Sequence, residues 1–405
     1  MTGVDDGAVR FTGANRTFRT LVIRGALLEL VTFGFYRFWL VTDIRRHLWA
    51  NTEVDGVALE YTGRGKELLL GFLFALAILV PVFIGYTLLG LAVEQIQAFG
   101  SFPLYAFLYA FGQFAIFRAR RYRLTRTIWR GVRFWMTGSG WSYAWRSLLW
   151  LIPVFLTLGL AYPWRAAALE RFKMRHTRYG TLTGGFVARG GTLFRRVWWI
   201  WLLGLLPAIA YFGSIIAFVI VANAVPKPSQ DVLALYGALI GVSVLVGAVT
   251  LPFLHALRIG REWQWWLDGL RISGASLWAT IKSSSFARLY WTVIGLGMLM
   301  VLVATVIVVV IGGLGSVVAG GITAASAWFA NVGAWLAVPT ILLYLSIVLS
   351  VGVIMRIYLQ QRVWKLVAES CTLIDAEALA DVAAAGGLDN ALGEGLADGL
   401  DVAGF

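Results

Sequence analysis

The chain alternates between long apolar tracts and short basic ones. Residues 68–117 hold no Lys or Arg, 197–257 hold only Lys227, and 290–355 hold no charged residue at all. Each tract is long enough for two membrane spans of roughly 20 residues and a turn. Six spans are therefore expected, at 68–93, 102–117, 197–222, 232–255, 290–319 and 335–355. The joining loops, 94–101, 223–231 and 320–334, contain one of the 34 basic residues; the other 33 lie at or beyond the opposite ends of the pairs. Basic loops stay on the cytoplasmic side, so both termini and all basic segments are expected in the cytoplasm and the three loops outside. The first 20 residues are polar and charged, with no apolar core before a small-residue cleavage site, so no cleavable signal peptide is expected.

Two further apolar stretches, 21–39 and 147–164, have basic residues on both sides. Arg24, Glu29 and Arg37 also interrupt the first. A full crossing would carry a basic segment outside, so both are read as re-entrant or interfacial helices that reverse at Thr32–Phe35 and Thr157–Leu160. Two ordinary spans, making eight crossings, are the alternative. Charges deep in lipid are costly unless paired or watered, so Arg24 and Glu29 should face protein or a cytoplasmic water pocket. Broken helices with Gly at the tip can present backbone groups to a substrate. That makes Arg24, Glu29, Thr32, Gly34, Thr157 and Gly159 the candidate re-entrant or substrate residues. The plainer reading of the glycines is close helix packing.

The chain also echoes itself. Thr32-Phe-Gly-Phe…Trp39 returns 125 residues later as Thr157-Leu-Gly-Leu…Trp164, with Arg46, Thr52 and Gly65 meeting Arg171, Thr177 and Gly190. At offset 75, Thr52, Gly56, Thr62, Gly63 and Gly65 meet Thr127, Gly131, Thr137, Gly138 and Gly140. A weaker copy is read at Asp268-Gly269, against Asp55-Gly56. The common pattern is a basic amphipathic helix (36–51 or 118–130), a Gly turn, and a short alternating segment at 57–63, 132–138 or 181–189. Such alternation predicts a strand, and strands this short must pair. The expected fold is an all-α integral membrane protein: a polytopic helical bundle with pseudo-repeats, re-entrant or interfacial helices and a small cytoplasmic β element. Its parts are a first membrane repeat (1–143), a second (144–288), a third helical hairpin with a cytoplasmic end (289–374), and a C-terminal tail (375–405).

Residues 32–39, 45–52 (Arg-Arg-His-Leu-Trp-Ala-Asn-Thr) and 60–68, together with the tail segment Gly393-Glu-Gly-Leu-Ala-Asp-Gly-Leu-Asp401, resemble the YjgN-like family of bacterial inner-membrane proteins. The likeness spans nearly the whole chain. The second repeat departs from it, with Tyr162-Pro-Trp where the first has Tyr36-Arg-Phe-Trp. The resemblance implies location and architecture and brings no catalytic residue.

Composition adds partners more than chemistry. The net charge is +13, and Arg outnumbers Lys 29 to 5. The basic residues flank apolar spans, so the charge points to anionic lipid headgroups and not to nucleic acid; high-GC coding would give the same Arg excess. Trp39, Arg45, Arg46, Arg120, Arg121, Arg123, Trp164 and Arg171 are the candidate headgroup residues. The tryptophans near the expected interfaces, Trp49, Trp129 and Trp265 among them, are read as an aromatic belt. A single cysteine, Cys371, rules out internal disulfides, and His47, His176 and His255 lack ligand spacing. No phosphate loop, nucleophile elbow or metalloprotease helix is present, so no catalytic, metal or cofactor site is expected. The spans lack buried ionisable groups, which argues against a charged path. The expected function is a transporter or channel for a lipid-like or amphipathic small molecule. The alternative is a non-transporting scaffold or assembly factor that binds anionic lipid or a protein partner, as a homo-oligomer or with another membrane protein. The last 31 residues carry seven acids and no base, a solvated tail or one that docks on the basic segments.

Overall fold

A computed structural model describes residues 7–92, 97–224, 229–318, 346–347 and 349–388. The expected loop 320–334 and most of the span 335–355 lie outside the described residues.

The all-α expectation is overturned. Eleven short strands form one antiparallel sheet, in the order β3-β2-β1-β11-β10-β9-β8-β7-β6-β5-β4. They are β1 (Gly7–Phe11), β2 (Thr52–Val54), β3 (Val57–Ala58), β4 (Glu60–Tyr61), β5 (Thr127–Trp129), β6 (Val132–Met136), β7 (Thr177–Tyr179), β8 (Leu182–Phe186), β9 (Leu270–Ile272), β10 (Ala275–Ala279) and β11 (Cys371–Ile374). The two end strands, β3 and β4, are separated only by Leu59, whose N–H bonds to the Thr52 carbonyl at 3.0 Å. They are two halves of one bent strand, so the sheet is all but closed into a barrel.

The barrel is made of hairpins: β2 with β3, β5 with β6, β7 with β8, and β9 with β10, plus one pair, β1 with β11, contributed by the two ends of the chain. Each pair is joined to the next by the same backbone bond. The N–H just past the second strand donates to the carbonyl just before the next hairpin's first strand. The five bonds are Thr12 to Asn51 (2.9 Å), Thr62 to Arg126 (2.9 Å), Thr137 to His176 (2.8 Å), Val187 to Gly269 (3.0 Å) and Thr280 to Ser370 (3.0 Å). A lone two-stranded hairpin is marginal in water; here each borrows two neighbours.

Helices enter and leave every hairpin on one side. They are α1 (Asn15–Val31), α2 (Arg37–Ala50), α3 (Gly65–Ala92), α4 (Gln97–Thr125), α5 (Gly140–Leu149), α6 (Leu151–Leu156), α7 (Tyr162–His176), α8 (Gly190–Ala224), α9 (Gln230–Gly269), α10 (Ser283–Val318) and α11 (Arg362–Glu369), the last preceded by a π-helical stretch, Met355–Gln361. Against the six spans expected, only three helices among the described residues are long and apolar enough to cross a membrane: α3 over Gly65–Leu88, α8 and α9. The first of them starts against α2 with no room to spare. A Cβ on Gly65 would come within 2.7 Å of the Trp39 Cα, and one on Gly190 within 2.7 Å of the Trp164 Cα.

Three expectations need correction. The second basic helix ends earlier than expected: α4 stops at Thr125, not at residue 130, and 127–129 is the first strand of a hairpin, as 52–54 is after α2. The copy placed at Asp268-Gly269 is displaced by five residues; the turn of that hairpin is Ser273-Gly274, and Asp268 instead accepts from the Ala279 N–H (3.3 Å) at the end of α9. Trp49, Trp129 and Trp265 are buried, not a belt.

The barrel interior is packed. Val54, Leu59, Trp129, Phe134, Tyr179, Leu182, Ile272, Leu277 and Leu373 form one cluster drawn from strands all around the ring. Tyr179 donates to the Trp129 carbonyl (2.9 Å), and Trp129 donates to the Val54 carbonyl (3.2 Å). The tail closes the turn end: Leu379 joins the same cluster, and the Thr181 N–H bonds to the Ala383 carbonyl (3.1 Å). Trp129 is 3% exposed and Trp278, on the outside of β10, 56%. Trp129→Ala should therefore cost about 3–5 kcal/mol and Trp278→Ala within about 0.5 kcal/mol, read from melting of the detergent-solubilised protein. Equal losses would place the core elsewhere.

Candidate membrane-surface site

Each of the two stretches flagged as partial helices is a pair of helices joined by a five-residue turn. Between α1 and α2 the turn is 32–36; between α6 and α7 it is 157–161. One hydrogen-bond pattern builds both. The Thr32 hydroxyl donates to the Leu28 carbonyl (2.7 Å) and accepts the Tyr36 N–H (2.9 Å); the Thr157 hydroxyl donates to the Pro153 carbonyl (2.7 Å) and accepts the Ala161 N–H (2.9 Å). A Thr side chain that bonds backward and forward caps one helix and starts the next. The reversal needs two consecutive left-handed residues: Phe33 and Gly34 have φ of 51° and 88°, Leu158 and Gly159 of 50° and 94°. Gly suits the second position because it has no Cβ to clash. The residues left at the tips are large and apolar. Phe33 is 94% exposed, and Phe155, Leu156 and Leu158 are also exposed.

Glu29, four residues before the first tip's Phe33, is ion-paired with Arg356 of the π-helical stretch (2.9 Å). Arg24 is exposed and lines an open cavity of about 880 Å³ between α1 and α2, together with Arg16, Thr20, Tyr36, Arg46 and His47. A smaller recess of about 420 Å³ continues along α1 past Arg24, Ile23, Leu27 and Val31. Neither space includes a residue of the second tip, so Thr157 and Gly159 are not brought together with Thr32 and Gly34 around it.

The headgroup candidates divide. Trp39 and Trp164 are exposed beside the tips, Trp39 stacked on Tyr36 and Trp164 against Phe194. Arg46 is half exposed, bonded to the Gly63 carbonyl (2.7 Å) and near Asp43 (3.4 Å). Arg45 faces inward. It is 5% exposed and reaches the Tyr61 hydroxyl (3.4 Å), so it serves the junction of α2 with the barrel. Arg121 donates to the Gly138 carbonyl (3.3 Å) and Arg123 to the Ala119 carbonyl (3.4 Å), both partly buried, as is Arg171. Arg120 is engaged in an internal cluster. It pairs with Glu170 (3.2 Å) and lies over the Trp266 ring.

That cluster was not read from the sequence. Glu170 is held by Arg120, by Lys173 and by the Trp266 indole N–H (3.0 Å), and it ties α4, α7 and α9 together. A Glu amid basic residues with Lys at i+3 was the available signal. Similar pairs link other neighbours: Arg126 with Glu67 (2.9 Å), and Tyr162 with Glu262 (2.5 Å). Burial pushes the Glu170 carboxyl upward, but the charges of Lys173 and Arg120 and the bonds from Lys173 and Trp266 outweigh it and hold the pKa at about 2. The folded value lies below the ordinary 4.5, so the stabilisation is complete above pH 4.5 and is lost as pH falls toward 2. It amounts to about 3 kcal/mol at neutral pH. Glu170→Gln should lower the melting temperature at pH 7 and flatten the fall in stability below pH 4.5, as followed by melts at a series of pH values; an unchanged acid limb would refute the assignment.

Burial also lowers the His47 pKa, so its ring is neutral at pH 7. Cys371 is buried and its thiol is pushed up to about 12, first by burial and then by the Asp268 charge, which leaves it inert.

No curated protein and no solved structure matches the chain. The family described as "Bacterial protein of unknown function (DUF898)" matches residues 6–399, from the threshold of β1 to beyond the segment that seals the barrel. The chain therefore belongs to this bacterial family, of which YjgN is a member.

Proposed function

We propose that the protein is a membrane-surface scaffold of the bacterial inner membrane: a solid barrel on the cytoplasmic side, hung from several spans and seated on the inner leaflet by two interfacial helical hairpins. In this reading the chain is built from five copies of one helix–hairpin–helix unit, the fifth shared between its two ends. The short connections, α1–α2 and α5–α7, dip into the leaflet, and the long ones cross it. Both termini stay in the cytoplasm.

The observation that carries the reading is the packed barrel. Its interior is occupied by Trp129, Phe134, Tyr179 and their neighbours, and its far end is covered by Leu379 and the segment around Ala383. A transport path would need to run beside it, between the two tips, and the cavity at the first tip is lined by α1 and α2 alone. The exposed Phe33, Phe155 and Leu158 fit insertion among headgroups better than they fit a path for solute. Transport of an amphipathic molecule thus becomes the competing reading, and the same experiment separates the two. In liposomes holding the purified protein, about half of a fluorescent phosphatidylglycerol should stay protected from an external quencher, as in protein-free vesicles. Rapid loss of that protected half would favour transport.

Orientation is tested separately in a Cys371→Ser background. Single cysteines in 94–101, 223–231 or 320–334 should react with an impermeant reagent from outside the cell. Those in 53–66, 126–141 or 178–192 should not, and outside labelling of any hairpin would refute the arrangement.

A further inference from the structure

The two interfacial hairpins share a backbone and differ in the face they turn outward. Counted from their helix starts, Asn15 and Gly140, position 16 corresponds to 141, 20 to 145 and 24 to 149. On α1 these are Arg16, Thr20 and Arg24, one stripe at spacing i, i+4, i+8 along a single face. On α5 and the residues beside it they are Trp141, Trp145 and Leu149, all exposed. Across the groove the contrast continues. His47 on α2 corresponds to Phe172 on α7, and there Arg146 lies over the Phe172 ring at 4.5 Å. In the first hairpin His47 lines the open cavity of about 880 Å³.

The open groove is graded from end to end. Near the barrel it is lined by Arg16, Arg46, Asn51 and Thr17. Only Asp43 opposes these charges, and it is shared with Arg46. Arg16 and Arg24 form no ion pair with a described residue. The His47 Nε2 is buried without a partner. Toward the tip, past Arg24, the lining becomes Ile23, Leu27, Leu28 and Val31, which lead to the exposed Phe33. Three guanidinium groups at one end suit a phosphate, since Arg grips its oxygens in a planar fork. An apolar runway beside them suits a chain of methylenes. The order along α1, charge nearest the barrel and apolar surface nearest the tip, is the order of a lipid in the cytoplasmic leaflet.

We propose that the groove between α1 and α2 binds one anionic glycerophospholipid, its phosphate between Arg16, Arg24 and Arg46 and an acyl chain along Ile23, Leu27 and Val31, while the Trp-faced second hairpin serves as a non-selective anchor. The assignment rests on the membrane-surface reading above and names the site that makes it lipid-selective.

The test is equilibrium binding of fluorescent phosphatidylglycerol to the full-length, delipidated protein in a nonionic detergent. The variant Arg16→Gln/Arg24→Gln/Arg46→Gln should lose at least about tenfold in affinity. A control with the same charge change at exposed sites off the groove, Arg10→Gln/Arg64→Gln/Arg175→Gln, should lose less than about twofold. Thr20→Trp, which copies Trp145 onto an exposed position, should block the groove as strongly as the triple change, with an unchanged melting temperature to show that the protein is folded. Glycerol 3-phosphate should not compete; if it does, the site takes a soluble phosphate and the lipid assignment is overturned. Wild-type affinity in both groove variants would overturn the site while leaving the scaffold reading intact. A wild-type protein with no preference for phosphatidylglycerol over phosphatidylcholine would overturn the lipid-selective part of both.

Discussion

The rest of the structure depends on a ring of five backbone hydrogen bonds. Each runs from just past one hairpin to just before the next, and the ring closes only because residues 7–12 return to meet residues from both ends of the chain: β11 on one side, and β2 with Asn51 on the other. Strands of two to five residues have almost no stability of their own. Near-closure leaves only the short end strands β3 and β4 with an unpaired side, and it encloses a cluster of aromatic and aliphatic side chains that no single hairpin could cover. The helices inherit their positions from this ring. Each hairpin has one entering and one leaving helix, so the spacing of strands around the barrel sets the spacing of helices above it. Ion pairs such as Arg120–Glu170 and Arg126–Glu67 then lock adjacent helices at the level where the barrel ends.

This arrangement explains how a largely apolar chain carries so many arginines. Some are structural, with Arg45 against Tyr61 and Arg126 against Glu67 at the seam between helix and barrel. Others stay exposed, Arg16, Arg24 and Arg46 among them. The two helical hairpins turn different side chains outward. One offers Arg16, Thr20 and Arg24, the other Trp141, Trp145 and Leu149. One backbone thus carries a polar, basic face in one hairpin and an apolar face in the other, and the difference lies in three positions on one helical face.

The helices were legible because their apolar tracts are long and uninterrupted. The turns at Thr32–Gly34 and Thr157–Gly159 were legible because a Thr that bonds both ways and a left-handed Gly leave few alternatives. The equivalence of Thr52, Thr127 and Thr177 could be read as well, but their role could not. Each follows a basic helix without a break, so 127–129 reads as the last turn of that helix and 52–54 as the approach to a Gly turn. The barrel stayed hidden because closure lies in no local pattern: Ala8 of β1 pairs with Thr372 of β11, from opposite ends of the chain, and β9 and β11 begin with Leu270 and Cys371, without the Thr that opens the hairpins at Thr52, Thr127 and Thr177. Arg45 and Arg46 illustrate the same limit at the site. They are adjacent in sequence, one buried and one half exposed, and only the barrel beneath decides which is which.

The meeting of the two chain ends is the claim on which the account stands. Ala8 of β1 lies directly opposite Thr372 of β11, and Glu53 of β2 directly opposite Ala58 of β3 within one hairpin. In a Cys371→Ser background, the pair Ala8→Cys/Thr372→Cys should be joined by a thiol cross-linker of about 5 Å reach as readily as the control pair Glu53→Cys/Ala58→Cys, and the product should keep the N- and C-terminal fragments together after cleavage between them. Efficient cross-linking of the control with none between residues 8 and 372 would mean that the ring is open in the membrane, and would contradict the closed barrel.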